Sequence, residues 1–225
     1  MLRVLSYNLR ALRDDAEAAA RVIRACGPDL VCLQEVPRFL GWKRQRDALA
    51  EACGLRVLSS RRSAGLAVLG GPDVRLLRAG YTFLSWSPPL HRRALAVARV
   101  RAGGMDLTVA STHLDLAPGA RLRHVQEILR LLAPSPVPVV LAGDFNEEPG
   151  GAAWNLLSAS FQDAYAVAPE GAELTFSAHR PRVRIDGVFV DKRLRVEGCG
   201  VPGGMEEDVL LATDHRPLLA RLTLA

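Results

Sequence analysis

The sequence lacks the features that would identify a membrane-spanning or a secreted protein. No apolar run approaches the roughly 18 residues that a spanning helix needs, so we expect no insertion into a membrane. The opening residues, Met-Leu-Arg-Val-Leu-Ser-Tyr-Asn, contain no charged leader followed by an apolar stretch. We therefore expect no signal peptide and a cytoplasmic location.

Cysteine is scarce, and its spacing excludes the common zinc-ribbon and redox motifs. Only Cys26, Cys32, Cys53 and Cys199 are present, and no two of them stand in a Cys-x-x-Cys spacing. Three of the four lie among apolar neighbours. Buried reduced thiols are the favoured interpretation, and a disulfide pair or a thiolate metal site is the alternative.

Lysine is almost missing. Of the 29 basic residues only Lys43 and Lys192 are lysines, and the formal net charge is +5. This charge suits a polyanionic partner without requiring one, and a bias towards arginine codons is the alternative explanation. The remaining composition, 49% hydrophobic and 24% charged over 225 residues, is that of a globular protein. Because no linker or repeat interrupts the chain, we expect one domain over residues 1–225.

The hydrophobic pattern predicts many short strands with a few helices between them. Strands are predicted at about 3–7, 30–33, 55–59, 64–69, 73–80, 94–101, 105–112, 137–142, 184–190, 193–199 and 216–223. Helices are predicted at about 14–25, 42–52, 118–132 and 152–158. This mixture favours sheet-on-sheet packing with helices on the outer faces.

Polar side chains stand where these predicted strands begin or end. They are Asn8, Glu35, His113, Asp144, Asn146, Asp186, Asp214 and His215. Carboxylates beside apolar strands are costly to bury without a cation or a charge partner. If the strand ends meet, so many hard oxygen ligands favour Mg²⁺ or Mn²⁺ over Zn²⁺.

Six short stretches carry these residues. They are Ser-Tyr-Asn-Leu-Arg (6–10), Asp-Leu-Val-Cys-Leu-Gln-Glu-Val (29–36), Ser-Thr-His-Leu-Asp (111–115), Gly-Asp-Phe-Asn-Glu-Glu-Pro (143–149), Arg-Ile-Asp (184–186) and Thr-Asp-His-Arg-Pro (213–217). In this order they resemble the motifs of the endonuclease/exonuclease/phosphatase superfamily, the deoxyribonuclease-like metal-dependent phosphohydrolases. The resemblance implies an α/β (α+β) fold. This fold is a four-layer αββα sandwich of two mixed sheets packed face to face, with helices on the outer faces.

The resemblance also implies a role for each residue. The implied metal ligands, for Mg²⁺ with Mn²⁺ able to substitute, are Glu35, Asn8 and Asp214. The implied catalytic residues are Asp144 and Asn146, which position or activate the attacking water, His215 with Asp186 orienting it, and the phosphate-binding His113. A metal can activate water and neutralise phosphoryl oxygens, a carboxylate can accept the proton of the water, and an imidazolium can stabilise the developing charge.

Basic and aromatic residues in three loops suggest the substrate. Strands 94–101 and 105–112 form a predicted hairpin, which places loop 85–93 beside His113, and segment 177–184 leads directly into Asp186. The predicted substrate-binding residues in these loops are Trp86, Arg92, Arg93, Arg180 and Arg182. The segment after Glu35 adds Arg38, Trp42, Lys43, Arg44 and Arg46. Charge for a backbone and rings for bases favour a nucleic acid, preferably DNA.

Other functions stay open at this point. A small phosphoester or a phospholipid headgroup is an alternative substrate, and a catalytically inactive binding module is a further alternative. Gln-Glu-Val-Pro (34–37) replaces the Gln-Glu-Thr-Lys that abasic-site endonucleases of the superfamily usually carry, which disfavours that repair role. Nothing in the sequence indicates an obligate protein partner.

Overall fold

The computed structural model describes residues 1–225 and contains twelve strands and six helices. The strands are β1 (Leu2–Asn8), β2 (Leu30–Gln34), β3 (Arg56–Arg61), β4 (Leu66–Gly70), β5 (Arg75–Phe83), β6 (Ala94–Ala102), β7 (Met105–His113), β8 (Val139–Asp144), β9 (Gln162–Asp163), β10 (Asp186–Val190), β11 (Leu194–Gly200) and β12 (Leu218–Leu224). The helices are α1 (Ala16–Cys26), α2 (Trp42–Ala52), α3 (Pro118–Leu132), α4 (Ala152–Ser160), α5 (Ala164–Val167) and α6 (Glu206–Ala212). Two short 3₁₀ turns, Arg10–Leu12 and Arg62–Ala64, complete the regular structure.

The strands form two six-stranded sheets. Their orders are β11-β12-β1-β2-β4-β3 and β5-β6-β7-β8-β10-β9. In the first sheet β1 is parallel to β2, and in the second β7 is parallel to β8, whereas all other neighbours are antiparallel. Both sheets are therefore mixed, as predicted.

Alternating side chains place each sheet between two apolar layers. In β1, Val4 belongs to the core between the sheets, whereas Leu5 packs with Ile23 of α1 on the outer face. In the second sheet, Val140 faces the core between the sheets and Leu141 faces the layer that contains helices α3 and α4. Successive side chains of a strand point to opposite faces, so central strands buried on both faces read as continuous apolar runs. The four-layer αββα sandwich is confirmed.

Local signals explain the helix ends. The Asp15 carboxylate accepts hydrogen bonds from the amides of Glu17 and Ala18 at 2.8 and 2.9 Å, which caps α1. Gly27 ends this helix in the left-handed conformation, with φ 53°. The bounds predicted for α2 and α3 are those of the structure.

Three short elements were not predicted: β9, α5 and α6. They contain two, four and seven residues, which is too short for a hydrophobic period to be visible. None of the six helices combines the length and apolarity that a membrane span requires. All four cysteines are free, and three of them are buried, as the favoured interpretation expected.

Candidate active site

The predicted polar residues meet at one end of the two sheets. Parallel pairing aligns the carboxyl ends of β1 and β2, and those of β7 and β8. Strands β10 and β12 run antiparallel to their neighbours, so their starts lie at this same end. Asp186 lies directly opposite Asp144 in the ladder. The topology therefore gathers residues from both sheets around one point.

Asp144 stands at the centre of this group. Its Oδ2 accepts a hydrogen bond from Asn8 Nδ2 at 2.9 Å, and the same nitrogen lies 3.4 Å from Glu35 Oε1. His215 Nε2 lies 3.7 Å from Asp144 Oδ2. Burial, followed by the nearby Asp186 carboxylate, raises the pKa of Asp144 to about 6. A carboxylate with a pKa near neutrality suits a general base.

Asp186 and His215 form a buried pair. The distance from His215 Nδ1 to Asp186 Oδ2 is 2.9 Å, and the Phe176 ring packs against the imidazole with centroids 4.9 Å apart. The hydroxyl of Thr175 accepts from the Asp186 amide at 3.2 Å and so fixes the backbone. Burial alone would lower the pKa of His215, but the Asp186 carboxylate and then Asp144 outweigh it and raise the pKa to about 10. His215 is therefore an imidazolium at neutral pH, and its Nε2 bears a proton.

His113 has the opposite electrostatic character. Burial and the neighbouring Arg93 hold the pKa of His113 well below its usual value, so the ring is neutral. Its Nε2 accepts from Asn146 Nδ2 at 3.0 Å. The 3.4 Å approach of this nitrogen to Asp144 is consequently not an ion pair. The predicted phosphate contact of His113 stays a prediction.

Asn146 is fixed by its amide nitrogen. Nδ2 donates to the carbonyl of Leu114 and to His113, each at 3.0 Å, and the Asn146 backbone amide donates to Asp144 Oδ1 at 3.0 Å. No protein donor bonds the side-chain oxygen, and the residue lines the cleft described below. This oxygen can accept a hydrogen bond from a bound water.

Glu35 fits a metal ligand. Its carboxylate has no cationic partner, and its one side-chain hydrogen bond is the long contact to Asn8. Asp186 Oδ1 is also buried without a hydrogen-bond partner. Asp144 and Asp186 also bring carboxylate oxygens within 4.8 Å of one another, in a group that includes His215 but not Glu35. Carboxylate oxygens are the ligands that a hard divalent cation prefers.

Asn8 and Asp214, two of the implied metal ligands, both have protein partners. The side-chain oxygen of Asn8 accepts from the Arg10 amide at 3.1 Å, so the residue presents N–H groups to the carboxylates rather than an oxygen to a cation. Asp214 Oδ2 lies 3.4 Å from Arg10 Nε, so this carboxylate already has a cationic partner. In this arrangement Asn8 bonds the carboxylates of Glu35 and Asp144. Metal binding by Asn8 and by Asp214 stays a prediction.

Backbone strain is concentrated around these residues. The non-glycine residues with positive φ are Arg10, Ala11, Leu12, Glu35 and Asn146, with φ between 47° and 59°. Left-handed conformation costs a non-glycine residue roughly 1–2 kcal/mol. The Ala11 amide donates to the Glu35 carbonyl at 2.7 Å, which ties two of these strained segments together. Strain persists where the surroundings over-determine the backbone, and it is common at functional sites.

The group opens into a cleft of about 440 Å³. Its lining includes three arginines, Arg13, Arg38 and Arg93. Arg93 is only 4% exposed and has no carboxylate partner, while His91 accepts from it at 3.3 Å. Burial and the nearby Arg93 lower the pKa of His91 to about 4, so His91 is neutral. A guanidinium without an ion-pair partner can form charge-assisted hydrogen bonds with an anion.

Four of the five predicted substrate-binding residues do not line this cleft. Arg93 does, but Trp86 is exposed and donates to the Leu90 carbonyl, and Arg92 stacks on Phe83 at 4.9 Å. Arg180 and Arg182 are exposed on the segment before β10. The hairpin geometry was correct, but it does not say which side chains of a loop turn inward. Contacts of these four residues with substrate stay predictions.

Sequence reasoning missed two residues that shape the site. Thr175 and Phe176 hold Asp186 and His215, yet they lie outside every predicted strand and outside the six motifs. Only their position about ten residues before Asp186, in a segment without periodicity, could have drawn attention to them. Phe39 was missed as well, although it directly follows the basic residue Arg38 at the rim of the cleft.

Known proteins share this architecture. An endonuclease/exonuclease/phosphatase from Bacteroides vulgatus is 22% identical, with a TM-score of 0.84 over 100% of this chain and 99% of that chain. A mannosyl-6-phosphatase from Bacteroides thetaiotaomicron is 19% identical, with a TM-score of 0.83 over the whole of both chains. TDP2 of D. rerio, complexed with a single-stranded DNA product, is 19% identical, with a TM-score of 0.81 over 99% of this chain and 98% of that chain.

At these identities the structural likeness shows the fold alone, and no functionally curated protein matches the chain in sequence. The family model of the endonuclease/exonuclease/phosphatase family, however, matches residues 5–215 and so includes all the strand ends that form the site. The chain therefore belongs to the endonuclease/exonuclease/phosphatase family and is a phosphoester hydrolase.

Proposed function

We propose that this protein is a Mg²⁺-dependent phosphodiesterase that cleaves nucleic acid, preferably DNA, with Mn²⁺ able to substitute. The observation that carries the proposal is that carboxylates and a buried guanidinium line the same cleft. The carboxylates belong to Glu35 and Asp144, and the guanidinium of Arg93 forms no ion pair. A phosphodiester together with a divalent cation would complement both kinds of charge.

The residues support hydrolysis in the following way. Glu35 would hold the cation, with Asn8 keeping the carboxylates in place, and Mg²⁺ bound there would supply charge neutralisation and a lowered pKa of water. As water bonds to phosphorus, the P–O bond to the leaving group breaks and the leaving oxygen takes a proton from solvent. Asp144 accepts the proton of the attacking water, which Asn146 orients through its free amide oxygen. His215 donates a hydrogen bond from Nε2 to the phosphoryl oxygen that gains charge.

A small phosphoester is the second candidate substrate. The cleft of about 440 Å³ has room for a sugar phosphate, and one structural neighbour is a mannosyl-6-phosphatase. The single-stranded DNA product bound to another neighbour favours a nucleic acid. The exposed basic side chains outside the cleft also favour a substrate longer than the cleft.

Two measurements test the proposal. Hydrolysis of bis-p-nitrophenyl phosphate should require Mg²⁺ or Mn²⁺, stop with EDTA and fall strongly in Asp144→Asn. Undiminished hydrolysis in EDTA would remove the metal from the proposal. A panel of single- and double-stranded DNA, RNA, nucleotides, sugar phosphates and sphingomyelin then identifies the substrate. Preference for a monoester over every oligonucleotide would replace the nuclease function with the phosphatase function.

A further inference from the structure

An exposed aromatic residue lies beside the cleft. Phe39 follows β2 in the loop before α2, is 69% exposed and forms part of the cleft wall. It also borders a second depression with Arg38 and Arg62, and a third with Lys43, Arg44 and Arg62. The three depressions therefore adjoin one another at Phe39. We call the surface around this ring the Phe39 shelf, defined by Arg38, Phe39, Lys43, Arg44 and Arg62; Arg38 and Phe39 also line the cleft.

The positive charges of the shelf are uncompensated. None of its four basic side chains lies within ion-pair distance of a carboxylate; the chain's ion pairs all involve other basic residues. Arg62 Nε donates to the Arg38 carbonyl at 2.7 Å and so tethers the loop. Arg46, by contrast, stacks on Trp42 and bonds Asp47. A tethered cluster of free cations next to a phosphate-cleaving site attracts further phosphates.

We propose that the Phe39 shelf binds the part of a nucleic acid strand adjacent to the cleaved phosphate, with one base stacked on Phe39 and the following phosphates on Arg62, Lys43 and Arg44. This inference rests on the proposed function, namely that the substrate is a nucleic acid. An exposed ring flanked by arginines is the combination that single strands use, because every base has a face to stack and every nucleotide a charge. The strand then passes over this shelf rather than over loop 85–93.

An anionic membrane surface is the competing occupant. Leu40, next to Phe39, is 97% exposed, and an apolar tip among basic residues also suits a lipid interface. The contact between the shelf and the cleft at Arg38 and Phe39 favours a strand, which can occupy both at once. Leu40 also lines the depression that contains Lys43 and Arg44, so the two occupants are distinguished by comparing vesicle binding with oligonucleotide binding in the same variants.

Binding of single-stranded oligonucleotides, measured by fluorescence anisotropy in EDTA, tests the shelf without turnover. Affinity of the wild type should rise from a dinucleotide to an octanucleotide. Phe39→Ala should weaken octanucleotide binding about tenfold, which is within the range for one base–aromatic stack. Phe39→Tyr, which keeps a ring, should restore it, and the control Leu131→Ala, at an exposed leucine of α3 away from the shelf, should leave it unchanged. Arg62→Ala should flatten the log–log salt dependence by about 0.7, the slope that one neutralised phosphate contributes on a single strand.

Other results separate the ways in which the inference can fail. If the affinity of the wild type rises with length but Phe39→Ala binds equally well, the shelf is wrong and the nuclease function stands. If the wild type shows no length dependence yet hydrolyses bis-p-nitrophenyl phosphate, the nucleic acid substrate itself is wrong. Vesicles of phosphatidylserine and phosphatidylcholine serve as the membrane probe. The proposal of a nucleic acid strand would be wrong if Leu40→Ala and Phe39→Ala weakened vesicle binding equally and left oligonucleotide binding unaffected. The shelf would then bind a lipid surface.

Discussion

At the scale of single residues, the Asp186–His215 pair predicts how activity depends on pH. Activity on bis-p-nitrophenyl phosphate should rise as Asp144 loses its proton, near pH 6, and fall as His215 loses its own, near pH 10. Asp186→Asn removes the anion that stabilises the imidazolium, so His215 deprotonates at a lower pH. We expect the alkaline limb of the kcat/KM profile to move to lower pH.

The double variant is the control for this prediction. Residues that act as one unit are not additive, so Asp186→Asn combined with His215→Ala should be little worse than His215→Ala alone. The pairing would be contradicted if the losses of activity in the two single variants multiplied in the double variant. It would also be contradicted if the alkaline limb of the kcat/KM profile did not move in Asp186→Asn.

Glu35 gives a second prediction at this scale. Glu35→Gln keeps the shape of the side chain but removes the charge that attracts a hard cation. Removing groups that merely support a metal ligand lowers affinity or activity about 10–100-fold, so we expect activity to fall at least about 100-fold, with partial rescue by high Mn²⁺. Titration calorimetry with Mn²⁺ should show weaker binding. Glu148→Gln, an exposed acid outside the cleft, is the matched control, and equal effects in both variants would argue against Glu35.

The sequence could predict which residues meet but not their hydrogen-bond states. Strand-end positions were enough to bring Asn8, Glu35 and Asp144 together, because strand direction is readable from connections. Whether Asn8 presents its nitrogen or its oxygen depends on the Arg10 amide. Likewise, His113 is neutral because it is buried beside Arg93, which belongs to another strand–loop segment. Such states depend on three-dimensional neighbours that no local pattern encodes.

At the scale of elements, the left-handed turn at Arg10–Leu12 allows a test of backbone strain. Ala11 has φ 59° and is not a glycine. Glycine at position 11 would relieve roughly 1–2 kcal/mol of strain in the folded protein. It would also stabilise the unfolded chain, but only by roughly 0.4–1 kcal/mol. We therefore expect Ala11→Gly to raise the free energy of unfolding. The control is Ala48→Gly on the exposed face of α2, which should lower it by about 1 kcal/mol. Urea denaturation measures both, and a destabilised Ala11→Gly would show that the turn is not strained.

Element prediction succeeded where a segment was long and regular. Helix α3 was predicted from apolar residues spaced three or four positions apart, namely Leu122, Val125, Leu129 and Leu132. The strand predicted at 184–190 starts only at Asp186, because Arg184 is held by the Asp163 carboxylate at 2.9 and 3.0 Å and lies outside the ladder. A contact between residues so distant in sequence overrides the local apolar pattern.

At the scale of the whole molecule, the thiols report the integrity of the fold. Burial raises the pKa of every cysteine, to about 12 for Cys26 and about 11 for Cys53. The thiolate is the reactive form, so the native protein should resist iodoacetamide at pH 8, whereas all four thiols should react in urea. Mass spectrometry counts the modified sites. Rapid labelling of Cys32 in the native protein would contradict the packing between the sheets, and a shift of the melting temperature by a reducing agent would contradict the free-thiol state.

The pairing of β1 with β12 determines when the enzyme becomes active during synthesis. β1 lies in the middle of its sheet, and Leu2 faces Leu222, so an emerging chain carries an open edge there until β12 leaves the ribosome. Contacts between such distant segments form slowly, and His215 arrives with that same strand. A nascent chain therefore lacks His215 at the candidate active site before β12 emerges. In a refolding experiment, we expect activity to return when β12 pairs with β1, and not when the chain first becomes compact.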